Sequence, residues 1–179
     1  PLPEGIVIDK DVPVVMRDGV KLYTNVYRPK IQGVFPVIMS FSPFGKDTPP
    51  AMYTLAIGTM WKPFGLGLGN FRISRSTPWE SQDPAFWVPN GYIVIHVDVR
   101  GAFKSEGTHR PFFGPELDDY AELIEWAGTQ KWSDGNVGLL GVSYLAISQW
   151  YAAERRPPHL KAIVPWEGWS NAYRDFIFH

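Results

Sequence analysis

The chain contains no cysteine, which removes disulfide bonds, thiol nucleophiles and cysteine-bound zinc from consideration. It has no apolar run of membrane-spanning length. Net charge is almost absent: 17 Lys and Arg against 18 Asp and Glu leave -1. A nucleic-acid or anionic-membrane surface is therefore not indicated, and neither is expected as a partner. No spacing of His, Asp and Glu suggests a metal, and no cofactor is expected. No signal peptide is read, and the first residue is Pro1 rather than Met, so the compartment is left open.

What is present is a globular composition. Of 179 residues, 45% are hydrophobic and 20% charged, sufficient for one domain that buries about two-thirds of its unfolded surface. Aromatic residues reach 15%, which favours apolar pockets or large contact faces.

Two β-rich runs, Val12 to Met16 and Val20 to Tyr27, are joined by Arg17-Asp18-Gly19, a hairpin signal. Val34 to Phe41 and Tyr92 to Val99 are continuous apolar runs, as expected of strands covered on both faces. Residues 42 to 90 show no period. From Pro115, apolar residues Leu117, Tyr120, Ala121, Ile124 and Ala127 fall at helical spacing. The acids Glu116, Asp118 and Asp119 crowd its first turn, where the helix dipole favours negative charge. Asp134-Gly135 leads into a strand, a second helix runs to about Arg155, and Lys161 to Pro165 reads as a last short strand. This alternation implies an α/β fold with a mostly parallel sheet preceded by an antiparallel hairpin.

The most informative segment is Val137 to Trp150. A short apolar strand meets Gly141-Val142-Ser143-Tyr144 and continues as a helix. A serine hydroxyl is a weak nucleophile unless it is exposed and held for a base. A sharp strand-to-helix turn does this, and it requires small neighbours such as Gly141. The strict G-x-S-x-G pattern is broken by Leu145. The competing reading is a structural serine that caps the helix.

Further segments accompany this turn: Ser42-Pro43-Phe44-Gly45-Lys46, Pro84 to Tyr92, Asp98-Val99-Arg100-Gly101 with Ser105-Glu106-Gly107, Glu125-Trp126 to Trp132, and Tyr173-Arg174-Asp175. With them, the chain resembles the CocE/NonD-type acyl hydrolases, relatives of the X-Pro dipeptidyl-peptidases. The resemblance implies the N-terminal portion of an α/β-hydrolase fold, with Ser143 as nucleophile and the backbone N–H of Tyr144 as an oxyanion donor. Members usually read G-x-S-Y-x-G, whereas Ala146 stands at the last position here. They usually add a tyrosine hydroxyl after the third strand, where this chain has Phe44. A backbone N–H of Phe44 or Gly45 is a candidate substitute; the competing and preferred reading makes Phe44 a pocket wall only. Phe44, Tyr144 and Trp166 are expected to line a pocket for a small ester or amide. Glu167 is a candidate partner for a substrate amine, and Trp169 is read as core.

The triad order in this fold is Ser, acid, His. After Ser143 the chain offers His159 and His179 as bases. Glu154 and His159 lie at the far end of the helix that starts at the serine. Asp175 and His179 are four residues apart. The expectation is that residues 1–179 form part of the hydrolase domain. The acid and base would then come from a C-terminal remainder that also carries a cap and a β-sandwich. Two alternatives stand beside an acyl esterase: an X-Pro dipeptidyl-peptidase, and a non-catalytic ligand-binding member, the latter favoured by Phe44 and Ala146. The glycine-rich stretch 65–70 does not follow a strand, so a dinucleotide site is not expected. His96 is read as a core residue, His109 as isolated in a loop, and Asp98 with Arg100 as an ion pair.

Overall fold

The computed structural model describes residues 2–48, 73–171 and 173–177. The stretch 65–70 and His179 lie outside these residues. Asp18 and Gly19 close the hairpin between β1 (Ile6–Val15) and β2 (Lys21–Pro29). Gly19 takes a φ of 86° and donates to the Met16 carbonyl at 2.8 Å. Asp18 Oδ1 accepts the Val20 N–H.

Among the described residues four further strands follow: β3 (Phe35–Ser42), β4 (Ile93–Asp98), β5 (Ser133–Val142) and β6 (Leu160–Trp166). They form one sheet of order β1-β2-β4-β3-β5-β6. β1, β2 and β4 pair antiparallel, and β4, β3, β5 and β6 pair parallel. β4 is buried at every position and β3 at every position after its first two, which is why both read as unbroken apolar runs. The segment that lacked a period contains α1 (Pro84–Trp87), a single turn capped by Asp83, whose Oδ1 accepts the Ala85 N–H at 2.9 Å.

α2 (Pro115–Gly128) packs Tyr120, Leu123, Ile124 and Ala127 onto the sheet. The Tyr120 ring stacks on Phe41, and its hydroxyl donates to the Met39 carbonyl. α3 (Tyr144–Glu154) is clipped to β6 by the fully buried Gln149. Its Oε1 accepts the Val164 N–H at 2.9 Å and its Nε2 donates to the Val164 carbonyl at 3.3 Å.

Asp98 and Arg100 do not pair with each other. Asp98 ends β4 beside Ser42 and faces the turn after β3, where its Oδ1 accepts the Lys46 N–H at 2.7 Å. Arg100 lies in the next turn and reaches α2 and the hairpin tip instead. It binds Asp119 through two nitrogens and Asp18 at 2.7 Å.

His96 is a core residue. Its Nε2 lies 3.0 Å from the Gln82 carbonyl, and its Nδ1 has no hydrogen-bond partner among the described residues. Burial lowers its pKa from 6.5 to about 4. The unfolded chain therefore takes up the proton first as pH falls. Stability is lost from about pH 6.5 downward and levels off below about pH 4. That shift corresponds to about 3 kcal/mol over the whole window. Glu80 acts in the opposite sense: burial raises it from 4.5 to about 7, so folding gains stability as pH falls from about 7 toward 4.5. A His96→Gln variant is expected to have urea midpoints that rise between pH 7 and 5 relative to wild type. Parallel pH curves for the two proteins would show that His96 does not titrate this way.

Candidate active site

β5 ends at Val142, and α3 begins at Tyr144. Ser143 between them has φ 57° and ψ -116°, a left-handed conformation that is uncommon for a residue with a side chain. Its N–H donates to the Trp166 carbonyl at 2.9 Å, which locks the turn to the end of β6. Its hydroxyl has no hydrogen-bond partner among the described residues. Gly141 is required by space, because a Cβ there would sit 2.4 Å from Leu145 Cβ.

Ala146 is fully buried. Its methyl is accommodated by the opposite wall, where Gly168 follows β6. A Cβ on Gly168 would lie 2.7 Å from Ala146 Cβ and 3.1 Å from the Ile147 nitrogen. The methyl at position 146 thus occupies space that a side chain at position 168 would need.

Tyr144 opens α3, so its N–H has no acceptor within the helix. It lies beside Ser143 and can stabilise negative charge that develops on an acyl oxygen there. Phe44 follows β3, the strand adjacent to β5, and its ring meets that of Tyr144 edge-on at 6.5 Å. The Phe44 N–H donates to Ser42 Oγ at 3.1 Å, so it is engaged within its own turn. The turn is tethered by Lys46, whose side chain is fully buried. The Lys46 ammonium lies 2.6 Å from Asp11 Oδ1, 2.5 Å from Asp47 Oδ2 and 3.8 Å from Asp98 Oδ2. Gly45 has φ 94°, and a Cβ there would meet Thr48 Oγ1 and the Phe103 ring.

Trp166 contributes its carbonyl to the turn, but its side chain is 63% exposed. The aromatic cluster beside Ser143 has Phe112 at its centre instead. Phe112 stacks on Tyr144 at 4.3 Å and contacts Tyr151 at 6.0 Å and Trp169 at 6.2 Å. Phe112 and Tyr151 had no periodic signal. Trp169, read as core, is a member of this cluster.

His109 is not isolated. Its Nε2 lies 3.2 Å from the Tyr144 hydroxyl and 3.3 Å from Glu116 Oε2. The Tyr144 hydroxyl donates to Glu116 Oε1. Burial raises the Glu116 pKa against the pull of Tyr144. Burial also lowers His109, and burial together with the Glu116 bond raises the Tyr144 phenol. Glu116 falls on the apolar stripe of α2, four residues before Tyr120, and that register was the available sign that it faces inward.

A second carboxylate adjoins the turn from the irregular region. The Glu80 carbonyl accepts the Val142 N–H at 3.4 Å. The Glu80 carboxyl is pushed up to about 7 by burial, with a smaller contribution from the charge of Glu167, and its Oε2 has no hydrogen-bond partner among the described residues. Glu80 and Glu167 have φ of 60° and 54°. Among the described residues no imidazole is hydrogen-bonded to Ser143. His159 pairs with Glu125 at 2.8 Å beyond the far end of α3, and Asp175 is held by Arg174 at 2.6 Å. Among the described residues no group of three His, Asp or Glu is placed to hold a metal ion.

The family described as X-Pro dipeptidyl-peptidase (S15 family) matches residues 18–179. The chain is 36% identical over 170 residues to cocaine esterase of Rhodococcus sp. (strain MB1 Bresler), covering 93% of this chain and 25% of that esterase. It superposes on a CocE/NonD family hydrolase from Staphylococcus aureus with a TM-score of 0.86 at 49% identity, covering 97% of this chain and 30% of that one. It superposes on an α-amino acid ester hydrolase with a TM-score of 0.64 at 25% identity, covering 90% of this chain and 25% of that one. The chain thus spans less than a third of the length of these relatives.

Proposed function

Because the chain belongs to the X-Pro dipeptidyl-peptidase (S15) family, we propose that it supplies the nucleophile of a serine hydrolase that cleaves carboxylic esters or amides. Ser143 Oγ attacks the acyl carbon and gives its proton to a base. The carbonyl oxygen becomes an oxyanion held by the Tyr144 N–H. Collapse expels the alcohol or amine, which takes the proton, and leaves an acyl-serine. Water then attacks, the acid is released and the serine hydroxyl is restored. The base and its orienting carboxylate belong to the C-terminal remainder of the protein. Phe44, Tyr144 and the Phe112 cluster form the wall for an apolar acyl group, and Trp166 joins it where further polypeptide covers its exposed ring.

The observation that carries this reading is the left-handed Ser143 backbone, locked at the end of β5 by the Trp166 carbonyl. Strain of this kind costs about 1–3 kcal/mol and concentrates at functional sites. A fluorophosphonate probe tests it on the complete protein. Labelling at Ser143 is expected. Absence of labelling would favour a ligand-binding member without turnover.

A second reading has its own observation. Glu80 and Glu167 place two carboxylates around the serine turn, which favours a substrate with a cationic amine, as an X-Pro peptide or an α-amino ester carries. Rates on X-Pro p-nitroanilides and on simple aryl esters separate the two. Faster hydrolysis of the p-nitroanilides, lost in Glu80→Gln, supports the amine-binding site; a preference for uncharged esters sinks it.

A further inference from the structure

The geometry points to Glu116 as a positioning residue for the oxyanion donor: a buried carboxylate that fixes Tyr144, and through it the N–H beside Ser143. This rests on the roles proposed above for Ser143 and Tyr144.

Glu116 is only 3% exposed although it sits in the first turn of α2. A carboxylate is costly to bury, and among the described residues this one is not matched by a lysine or arginine at salt-bridge distance. Its contacts all lead to the serine turn. Oε1 accepts the Tyr144 hydroxyl, and the Phe112 N–H at 3.4 Å. Oε2 lies 3.3 Å from His109 Nε2, which is also 3.2 Å from the Tyr144 hydroxyl. Phe112, held at φ 61°, stacks its ring on the same tyrosine. Tyr144 is therefore gripped at its hydroxyl by α2 and the 108–114 loop, and on its ring face by that loop.

Apolar packing alone requires no hydroxyl at position 144. The hydroxyl ties the first turn of α3 to α2 at a defined distance. That fixes the orientation of the N–H one residue after the nucleophile. An error of about an ångström in such a group costs on the order of a hundredfold in rate.

The test uses the complete protein with kcat expressed per serine titrated by fluorophosphonate, so that misfolded material does not count. Glu116→Ala is expected to lower kcat by about ten- to a hundredfold while KM changes by less than about threefold. An arylboronic acid forms a tetrahedral adduct on an activated serine and places an oxygen at the oxyanion donor. Its affinity is expected to fall in parallel with kcat. Glu116→Gln, which can still accept the tyrosine hydroxyl, is expected to recover most of both losses. Where Glu116→Ala does not fold, Tyr144→Phe removes the hydroxyl alone and is expected to lose boronate affinity in the same direction. Unchanged kcat and boronate affinity per titrated serine in either variant overturn the proposal. So does Glu116→Gln losing as much as Glu116→Ala. Failure of the wild-type protein to label at Ser143 is a different result, and it overturns the nucleophile assignment itself.

Discussion

Ser143→Ala is expected to lower kcat for ester hydrolysis by about four to six orders of magnitude, since removing a nucleophilic serine leaves only binding and oxyanion stabilisation. Fluorophosphonate labelling should vanish with it. The backbone adds a second expectation. Alanine at φ 57° retains the strain of a left-handed residue with a Cβ, whereas glycine does not. Ser143→Gly should be equally inactive yet more stable than Ser143→Ala, by about 1 kcal/mol. Urea midpoints of the two variants measure this. Retained turnover in either variant would remove Ser143 from the mechanism. Equal stability of the two would mean that the turn relaxes once the hydroxyl is gone.

Gly168→Ala is expected to damage both stability and turnover, and Ala146→Gly to repair much of the damage. The new Cβ would stand 2.7 Å from Ala146 Cβ. Ala146 is fully buried in α3 and cannot retreat, so the segment after β6 must move. That segment continues directly from Trp166, the last residue of β6, whose carbonyl holds the Ser143 N–H. Overpacking of this kind costs about 1–3 kcal/mol, and the displaced acceptor should reduce kcat by about tenfold or more. Ala146→Gly alone should cost about 0.5–1 kcal/mol through helix propensity. Combined, the two substitutions should show a favourable coupling of about 1–2 kcal/mol in urea unfolding. Simple additivity would show that the two residues do not share one space.

The α/β class, the hairpin and the serine turn were legible because they rest on local signals. Asp18-Gly19 needs only its own backbone angles, β3 and β4 declare double burial by unbroken apolar runs, and Gly141-Val142-Ser143 sits between a strand and a helix. What was missed depends on partners distant in sequence. Arg100 pairs with Asp119 and Asp18 and not with Asp98, because it lies in the turn beyond β4 while Asp98 is engaged by the turn at Lys46. Glu116 was read as an acid near a helix dipole, but its register places it inside, where Tyr144 waits 28 residues later. Glu80 lay in a stretch without period, and only the fold brings its carbonyl to Val142. Trp166 was expected to present its ring, but in the described residues it presents its backbone, because β6 is the outermost strand.

The pairing of Ala146 with Gly168 also bears on how such a turn changes over generations. A pattern that demands glycine at position 146 registers a defect in this chain. The physical requirement is a volume shared between two backbones, and one glycine on either wall meets it. The two arrangements are connected by a route in which both positions are glycine, at the modest cost of a looser helix start. The route in which both are alanine passes through the 2.7 Å approach, at a cost of about 1–3 kcal/mol. The cheaper order of substitution therefore acquires glycine on one wall before giving it up on the other. Alanine at position 146 is thus compatible with the geometry of the serine turn as long as position 168 carries no side chain.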